Sequence, residues 1–410
     1  MRFVARQPVF LRTMALYGYE ILFRSGFESA ANFSNADDAT RLTLDNSILW
    51  GLERLCGDKL AFVNCTRSVL VNRLIELLPP SQTVVEVLED VLPDREVLEA
   101  CRSLKEKGYR IALDDVVCLR DVEAYLPLAD IVKVDFRLAS RVSQATMAYQ
   151  LHQRGILALA EKVEDREEHS AAMHMGYELF QGFFFQRPEV VQRRNIELHS
   201  NTFRLLRAAQ EPELDLKLIE ELIRSEPSLS LRLLHYLNSV AFAFRIRVTS
   251  IRHGLSLLGE EETRKWLIVS AVTENCCSHP LELITWALVR ARFCELTANK
   301  LFDVVPGAFW LGMVSAFPAL LETTVENLLQ RMPVASAVSE ALLGAPGIYR
   351  DLLDVMIAYE RGQWAQCAEL AGKLRLSEGS VSAIYIESTQ WANTLTGVNT
   401  GKNSEVSSGT

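Results

Sequence analysis

The 410-residue sequence predicts an α/β domain followed by an all-α domain, the first being a modified, TIM-like (β/α)8 barrel. Eight short β-rich runs occupy roughly the first 190 residues, and segments of helical period separate most of them. Alternation of this kind indicates parallel βαβ units. From about residue 196 the β-rich runs cease and helical spacing continues, which predicts a separate helical domain.

The predicted strands cover residues 3–10, 15–23, 60–65, 83–89, 110–116, 131–136, 157–163 and 179–185. Because the first two lie too close together for a crossover helix, we expect them to pair antiparallel. A helix is predicted over 94–108, where an amphipathic run ends at Gly108. Eight strands are the number that closes a barrel of this class.

The helical half begins at 214–242, where Ser225 and Pro227 restart the helix. Further helices are predicted over 251–272, 280–302, 307–330, 334–344, 349–359, 362–373 and 377–395. The polar segment 186–198 is the predicted junction, which gives a barrel domain at 1–195 and a helical domain at 196–392. Residues 393–410 have too little apolar content to fold, and they predict a disordered tail.

Composition excludes several classes of function. The net charge of -9 argues against binding of a nucleic-acid polymer, which needs a broad basic surface. No apolar run approaches the roughly 18 residues that cross a membrane, and arginines interrupt any signal-peptide core near the start, so we expect a cytoplasmic protein. The eight scattered cysteines form no C-x-x-C pair and predict reduced thiols.

Polar residues lie near the ends of seven predicted strands, where the chemistry of a barrel gathers. They are Glu20, Asn64, Glu86, Asp114 with Asp115, Lys133 with Asp135, Glu161, and Gln181. Convergent oxygen ligands suit Mg²⁺ or Mn²⁺, and a lysine beside a metal can hold a water or a developing charge. The residues alone leave two chemistries open: metal-assisted phosphodiester hydrolysis and binding of an anionic ligand.

The ordered series YEILFR, FVN, EVLE, DD, KVD, AEKVE and QGFFFQRP resembles the EAL family of cyclic di-GMP phosphodiesterases over residues 1–190. The resemblance implies metal ligation by Glu20, Asn64, Glu86, Asp114, Asp115 and Glu161. It implies catalytic roles for Glu20, Asp115, Gln181 and Lys133, with Lys133 positioning the attacking water. It implies ligand binding by Arg24, Asp135 and Gln181, and support of the following loop by Glu89.

The sequence departs from the family pattern at several positions. Ile21 and Leu88 replace an alanine and a threonine, and Lys162 replaces the glycine of A-E-G-V-E, where its amine could crowd the site or pair with an acid. The family's glycine-rich loop after the paired aspartates is missing, since no glycine occurs between Gly108 and Gly155.

The segment 222–267 resembles the HDOD domain, which is related to metal-dependent HD hydrolases but lacks their His-Asp dyad. Glu226 replaces the usual Asp, the pair Asn238-Ser239 and the stretch 249–259 match, and no His-Asp dipeptide occurs in the chain. The resemblance covers about 196–390 and implies a non-catalytic module that binds a protein partner.

Two hypotheses follow. In one, the protein is a receptor or adaptor in cyclic di-GMP signalling, with a barrel that keeps most metal ligands but does not hydrolyse the dinucleotide. In the other, it is an active phosphodiesterase that uses Mg²⁺ or Mn²⁺ and releases linear pGpG. For either one, the resemblance implies a bacterial protein acting in motility or biofilm formation, and it allows a homodimer.

Overall fold

The computed structural model describes residues 3–24, 52–184, 200–211, 213–225, 229, 233, 236–237, 251–275, 281–301, 307–321, 323–331 and 334–396. The predicted junction at 186–198 lies outside these residues, as do Glu226, Asn238-Ser239 and nearly all of the predicted tail. For Arg24 the backbone is described but the side chain is not. No described helix combines the length and the apolar character that would let it cross a bilayer.

Eight strands close into a barrel in sequential order. They are β1 Phe3–Leu11, β2 Leu16–Arg24, β3 Leu60–Cys65, β4 Thr83–Val87, β5 Arg110–Val116, β6 Ile131–Asp135, β7 Leu157–Val163 and β8 Leu179–Gly182. β1 pairs antiparallel with both β2 and β8, and every other neighbouring pair is parallel. The predicted fold class, including the antiparallel first pair, is therefore confirmed.

Two successive layers of side chains fill the barrel. The apolar layer consists of Val9, Phe62, Val84, Ala112, Ile131, Leu159 and Leu179, all fully buried. Because side chains alternate along a strand, the next inward position lies two residues away. Those positions form the polar layer: Gln7, Glu20, Asn64, Glu86, Asp114, Lys133, Glu161 and Gln181. The polar layer therefore lies directly against the apolar layer, on the side of the carboxyl ends of the parallel strands. That end of the barrel is called its mouth below.

Two β-bulges modify the polar layer. The first lies in β5: between the pairs Leu113↔Val132 and Val116↔Val134, β5 has one more residue than β6. The second lies in β7, which has one more residue than β8 between Ala160 and Val163. A bulge leaves one residue unpaired and re-aims its side chain. Here Asp115 and Lys162 are the residues with positive φ, at 48° and 58°. Each bulge thereby supplies a second polar side chain beside a member of the polar layer.

The described helices around the barrel are α1 Leu52–Cys56, α2 Arg67–Val71, α3 Arg95–Glu106, α4 Arg141–Gln153 and α5 Arg166–Met175. The last three begin at polar N-caps, since Asp94, Ser140 and Asp165 each accept a hydrogen bond from a backbone N–H of the first turn. These caps fix where each of the three crossover helices begins.

The segment after β5, where the family resemblance leads one to expect glycines, is a series of turns over residues 117–129. Leu119, Tyr125 and Leu126 are buried in it. The Tyr125 hydroxyl donates a hydrogen bond to the carbonyl of Val91, at 2.8 Å, on the loop after β4. Apolar anchoring therefore holds this segment of the chain in place.

The helices from residue 200 onward are α6 Ser200–Ala208, α7 Leu216–Arg224, α8 Ile251–Asn275, α9 Leu281–Leu301, α10 Ala308–Leu320, α11 Val325–Arg331, α12 Ser336–Leu342, α13 Ile348–Glu360, α14 Trp364–Lys373 and α15 Glu378–Thr396. α9 and α10 pack closely because Gly312 has no side chain: a β-carbon there would lie 2.5 Å from the carbonyl oxygen of Arg290. The last helix ends at Thr396, slightly beyond the predicted start of the tail.

The chain divides into two compact units. One contains the barrel together with Asp354–Gln390, and the other contains Pro188–Leu353 with residues from Trp391. This division differs from the predicted boundary at 195/196, because the C-terminal helices group with the barrel. Within that unit the Arg361 guanidinium lies 5.9 Å from the centre of the Phe183 ring, and a β-carbon at Gly362 would lie 3.8 Å from Leu22 Cδ1 on β2.

Candidate functional site

A buried lysine lies at the centre of the polar layer. The Lys133 ammonium donates hydrogen bonds to Glu20 Oε2 at 3.1 Å, to Asp114 Oδ1 at 2.8 Å and to Glu86 Oε1, and it lies 3.5 Å from Glu161 Oε2. The Lys133 and Glu86 side chains are fully buried, and those of the other three acids are at most 11% exposed. Four carboxylates from four strands therefore share one ammonium group.

Glu20 is held by amides as well as by the lysine. Gln181 Nε2 donates to Glu20 Oε2 at 2.7 Å, and Asn64 Nδ2 lies 3.4 Å from Glu20 Oε1. Gln181 Nε2 also lies 3.2 Å from Gln7 Oε1. These contacts fix the carboxylate of Glu20 from three strands, so its orientation is set before any ligand arrives.

Several oxygens of the polar layer accept no hydrogen bond in the described part of the chain. They are Asn64 Oδ1, Glu86 Oε2, Glu161 Oε2 and Gln181 Oε1, all buried. Buried acceptors without partners are rare in folded proteins and require a reason. A hard divalent cation takes carboxylate and amide oxygens of this kind. Three of the predicted ligands, Asn64, Glu86 and Glu161, therefore fit Mg²⁺ or Mn²⁺ both in chemistry and in having an oxygen left to bind.

A second acidic group lies beside the first, bridged by Lys162. The Lys162 ammonium is 2.5 Å from Asp115 Oδ1 and 2.7 Å from Asp135 Oδ2. The other oxygen of Asp135 accepts the backbone N–H groups of Arg137 and Leu138, at 2.7 and 2.9 Å. This Lys162 bridge joins β5, β6 and β7 across the mouth of the barrel, and both oxygens of Asp135 are occupied within the protein.

The predicted loop-supporting residue Glu89 is exposed and lies near the paired aspartates. Glu89, Asp114 and Asp115 each place a carboxylate oxygen within 4.8 Å of the others, close enough to bind one cation together. The sequence prediction gave Glu89 a supporting role, whereas the geometry places its carboxylate among candidate ligands.

Burial and like charges shift the titration of the acids. Burial raises the pKa of Glu86 well above the usual carboxyl range, and the neighbouring Glu20 raises it further. Burial likewise raises the pKa of Glu161 to about 8, although Lys133 opposes this. For Lys133 burial acts to lower the pKa, but Glu161, Glu20, Glu86 and Asp114 outweigh it and raise the pKa above its usual value. The site favours a protonated lysine and penalises ionised carboxyls.

Asp135 titrates in the opposite direction. Burial alone would raise its pKa, but hydrogen bonds from Lys162 and from the N–H groups of Leu138 and Arg137 outweigh burial and lower it. Asp135 is thus a stable anion at neutral pH. It anchors the Lys162 bridge and has no oxygen left for a ligand.

The structure brings together every predicted residue whose side chain it describes, in two groups: Glu20, Asn64, Glu86, Asp114, Lys133, Glu161 and Gln181 in the first, and Asp115, Asp135 and Glu89 beside it. Gln7 was missed. Its signal was the register of the first strand pair, which sets Gln7 opposite Glu20. The two alternatives foreseen for Lys162 are resolved in favour of pairing with acids.

Comparison with known families identifies both parts of the chain. The EAL domain profile matches residues 64–188, and the HDOD domain profile matches residues 197–298. Among solved structures, BlrP1 of Klebsiella pneumoniae with calcium and cyclic di-GMP is 22% identical, over 46% of this chain and 55% of that one, with a TM-score of 0.38.

Two relatives match nearly the whole chain. The uncharacterized protein YuxH of Bacillus subtilis (strain 168) is 32% identical over 404 residues, which are 96% of this chain and 98% of YuxH. The cyclic di-GMP phosphodiesterase CdgJ of Vibrio cholerae serotype O1 is 33% identical over 402 residues, 95% of this chain and 92% of CdgJ. The chain, which joins an EAL domain to an HDOD domain, therefore belongs to the family of YuxH and CdgJ.

Proposed function

We propose that this protein is a metal-dependent cyclic di-GMP phosphodiesterase of a bacterial signalling system, which opens the cyclic dinucleotide to linear pGpG. The observation that carries the proposal is the buried polar layer, where four carboxylates and an amide converge and several oxygens accept no hydrogen bond. The full-length relative CdgJ, which bears the name of such an enzyme, supports the choice of substrate.

The residues that would hold the metal are Glu20, Asn64, Glu86, Asp114 and Glu161. When bound, Mg²⁺ or Mn²⁺ would polarise the phosphodiester and lower the pKa of an attacking water. The chain's own contribution begins with orientation: Gln181 and Asn64 fix the Glu20 carboxylate through its two oxygens. Preorganised ligands of this kind need no rearrangement when charge develops on the phosphate.

Lys133 would stabilise charge during the reaction. The Lys133 ammonium donates hydrogen bonds to three acids, and it can instead donate a hydrogen bond to the attacking water or to a phosphoryl oxygen. Glu161 Oε2 lies 3.5 Å from that ammonium, and Glu161 would serve as a metal ligand, because a bound cation stabilises its ionised carboxylate. We assign stabilisation of charge to Lys133.

The second candidate function is that of a receptor that binds the dinucleotide without cleaving it. The Lys162 bridge favours this reading, because it engages Asp115, one of the predicted ligands and catalytic residues. The predicted binding role of Arg24 applies equally to both functions. Hydrolysis remains our proposal because the first group of ligands is complete without Asp115.

The deciding experiment incubates the purified chain with cyclic di-GMP and Mn²⁺ and separates the products by chromatography. We expect linear pGpG from the wild type and at least about a hundredfold less from Glu20→Gln, which keeps the shape of the side chain but removes a ligand charge. Equal product from both would contradict the assigned site. If neither forms product, calorimetry with cyclic di-GMP in Ca²⁺ tests the receptor function, and absence of heat would exclude that as well.

For the helical part we propose a non-catalytic module that binds a protein partner and relays the state of the barrel. Its support is the HDOD match together with the absence of a His-Asp dipeptide from the sequence. Cytoplasmic location, homodimer formation and action in motility or biofilm formation belong to the same proposal, and a pull-down with the full-length chain as bait tests the partner.

A further inference from the structure

Lys162 holds a place that a metal ion could otherwise use. Its ammonium lies 2.5 Å from Asp115 Oδ1 and 2.7 Å from Asp135 Oδ2, which are distances of charge-assisted hydrogen bonds. The carboxylate of Asp115 is in turn one of the three acids, with Glu89 and Asp114, whose oxygens lie within 4.8 Å of one another. The Lys162 ammonium is therefore already bonded to Asp115 and Asp135, which lie beside the ligands grouped around Lys133.

The backbone at this position shows that the placement of the lysine depends on the bulge. Lys162 has φ of 58°, a region that glycine enters freely and a side chain with a β-carbon enters at a cost. The bulge between Ala160 and Val163 turns the chain so that Glu161 and Lys162 both reach the mouth of the barrel. In a regular strand, Lys162 would point away from Glu161 and could not reach Asp115 on β5.

Resting on the function proposed above, we infer that the Lys162 ammonium replaces a second divalent cation and that this centre binds one metal ion per chain. Two neighbouring metals in hydrolytic sites lie about 3.5–4 Å apart and share carboxylate ligands. Here the first ion has the ligands grouped around Lys133. A second would need Asp115, whose Oδ1 is bonded to Lys162, and would place its charge against the ammonium.

Asp135 offers no replacement for the Asp115 oxygen that Lys162 occupies. Its Oδ2 accepts from Lys162, and its Oδ1 accepts from the backbone N–H groups of Arg137 and Leu138. A second ion would be left with Glu89, the second oxygen of Asp115, and Asp114, which already bonds Lys133 through Oδ1. Removing the Lys162 amine would return one oxygen each on Asp115 and Asp135 and remove the repelling charge.

The test counts metal ions. The full chain is stripped with EDTA and titrated with Mn²⁺, with bound ions measured by calorimetry and by electron paramagnetic resonance. We expect one bound ion and a spectrum of isolated Mn²⁺ for the wild type. For Lys162→Gly, which suits the positive φ, we expect two ions and a spectrum broadened by coupling between neighbouring spins. Lys162→Arg retains the positive charge, and we expect one ion there too.

Lys105→Ala is the matched control, because Lys105 also pairs with an aspartate, Asp130 at 2.7 Å, but at the start of β5 and far from the mouth. It should bind one ion. Two ions on the wild type, or one on Lys162→Gly, would overturn the inference while leaving the proposed hydrolysis intact. No bound ion on either protein at millimolar Mn²⁺ would instead remove the metal centre itself, and the inference with it.

Discussion

The apolar and polar layers of the barrel occupy equivalent positions on the same strands, two residues apart, yet they act on the protein in opposite ways. The apolar layer buries hydrocarbon side chains such as Phe62 and Leu159, which stabilises the fold. The polar layer buries Glu86 and Glu161 near other acids, and the raised pKa values of both show that ionising them is unfavourable. Stability and chemistry are thus separated into adjacent layers.

The largest effect should come from removing the one ammonium at the centre of the polar layer. In EDTA at pH 7, Lys133→Met should lower the free energy of unfolding by about 3–5 kcal/mol, because the four buried acids lose the one positive group that they share. It should also abolish hydrolysis. Urea denaturation measures the change, and Lys105→Met, which breaks a partly exposed pair, should cost at most about 1 kcal/mol. Similar losses in both variants would contradict the central role of Lys133.

A cavity in the apolar layer should cost nearly as much stability but leave the chemistry in place. Phe62→Ala removes a fully buried ring, and we expect a loss of about 3 kcal/mol, with the neighbouring Tyr17 ring, 6.2 Å away, partly filling the space. Mn²⁺ affinity of the folded fraction should stay within about twofold of the wild type. A large drop in affinity would mean that the two layers are not separable.

The metal-free protein should become less stable as pH rises from 6.5 to 8. Glu161 keeps a proton up to a pKa of about 8 when folded, whereas an unfolded glutamate has released it above about 4.3, so the folded state binds more protons and rising pH favours unfolding. The expected loss is about 2 kcal/mol. Thermal unfolding in EDTA measures it, and Glu161→Gln should flatten the slope.

The lower limit of that pH window is set by His169, which titrates in the opposite sense. Burial lowers the pKa of His169 to about 4, and its ring stacks on Phe184 at 4.4 Å between centroids. Between pH 4 and 6.5 the unfolded state binds more protons at this residue, so its contribution to stability falls as pH decreases. A rise in stability from pH 6.5 to 8 would contradict the raised pKa assigned to Glu161 in the folded protein.

The smallest change in stability is expected for Glu86→Gln. The substitution removes a carboxylate that repels Glu20 and Asp114 but also loses a partner of Lys133, so in EDTA the free energy of unfolding should change by no more than about 1 kcal/mol. Mn²⁺ affinity should nevertheless fall by more than the roughly 10–100-fold that outer-shell changes cost. Calorimetry measures the affinity, and an unchanged value would exclude Glu86 as a ligand.

Much of the barrel could be predicted because its two signals are local. Each strand shows as a short β-rich run, and on β3 to β8 the polar residue follows a residue of the apolar layer by two positions, as Glu86 follows Val84. Gln7 escaped because β1 is antiparallel, so that the position toward the mouth precedes Val9 instead of following it. In a strand of reversed direction, the polar residue near the mouth comes before its apolar neighbour in the sequence and not after it.

Other features depend on contacts that no local pattern encodes. The bulges at Asp115 and Lys162 each insert a residue that the neighbouring strand does not match, and the sequence of one strand does not show how many of its residues will pair. The grouping of Asp354–Gln390 with the barrel escaped for a related reason. An amphipathic helix shows which of its faces is buried but not which partner covers it.

The barrel closes only when β8 pairs with β1, and this has a consequence during synthesis of the chain. Gln181 and Gln7, whose amides meet in the polar layer, are 174 residues apart in sequence. At ordinary elongation rates roughly ten to thirty seconds separate their appearance from the ribosome. During that interval the outer edge of β1 has no strand beside it and could pair with another nascent chain. The last strand made is the one that removes this exposed edge.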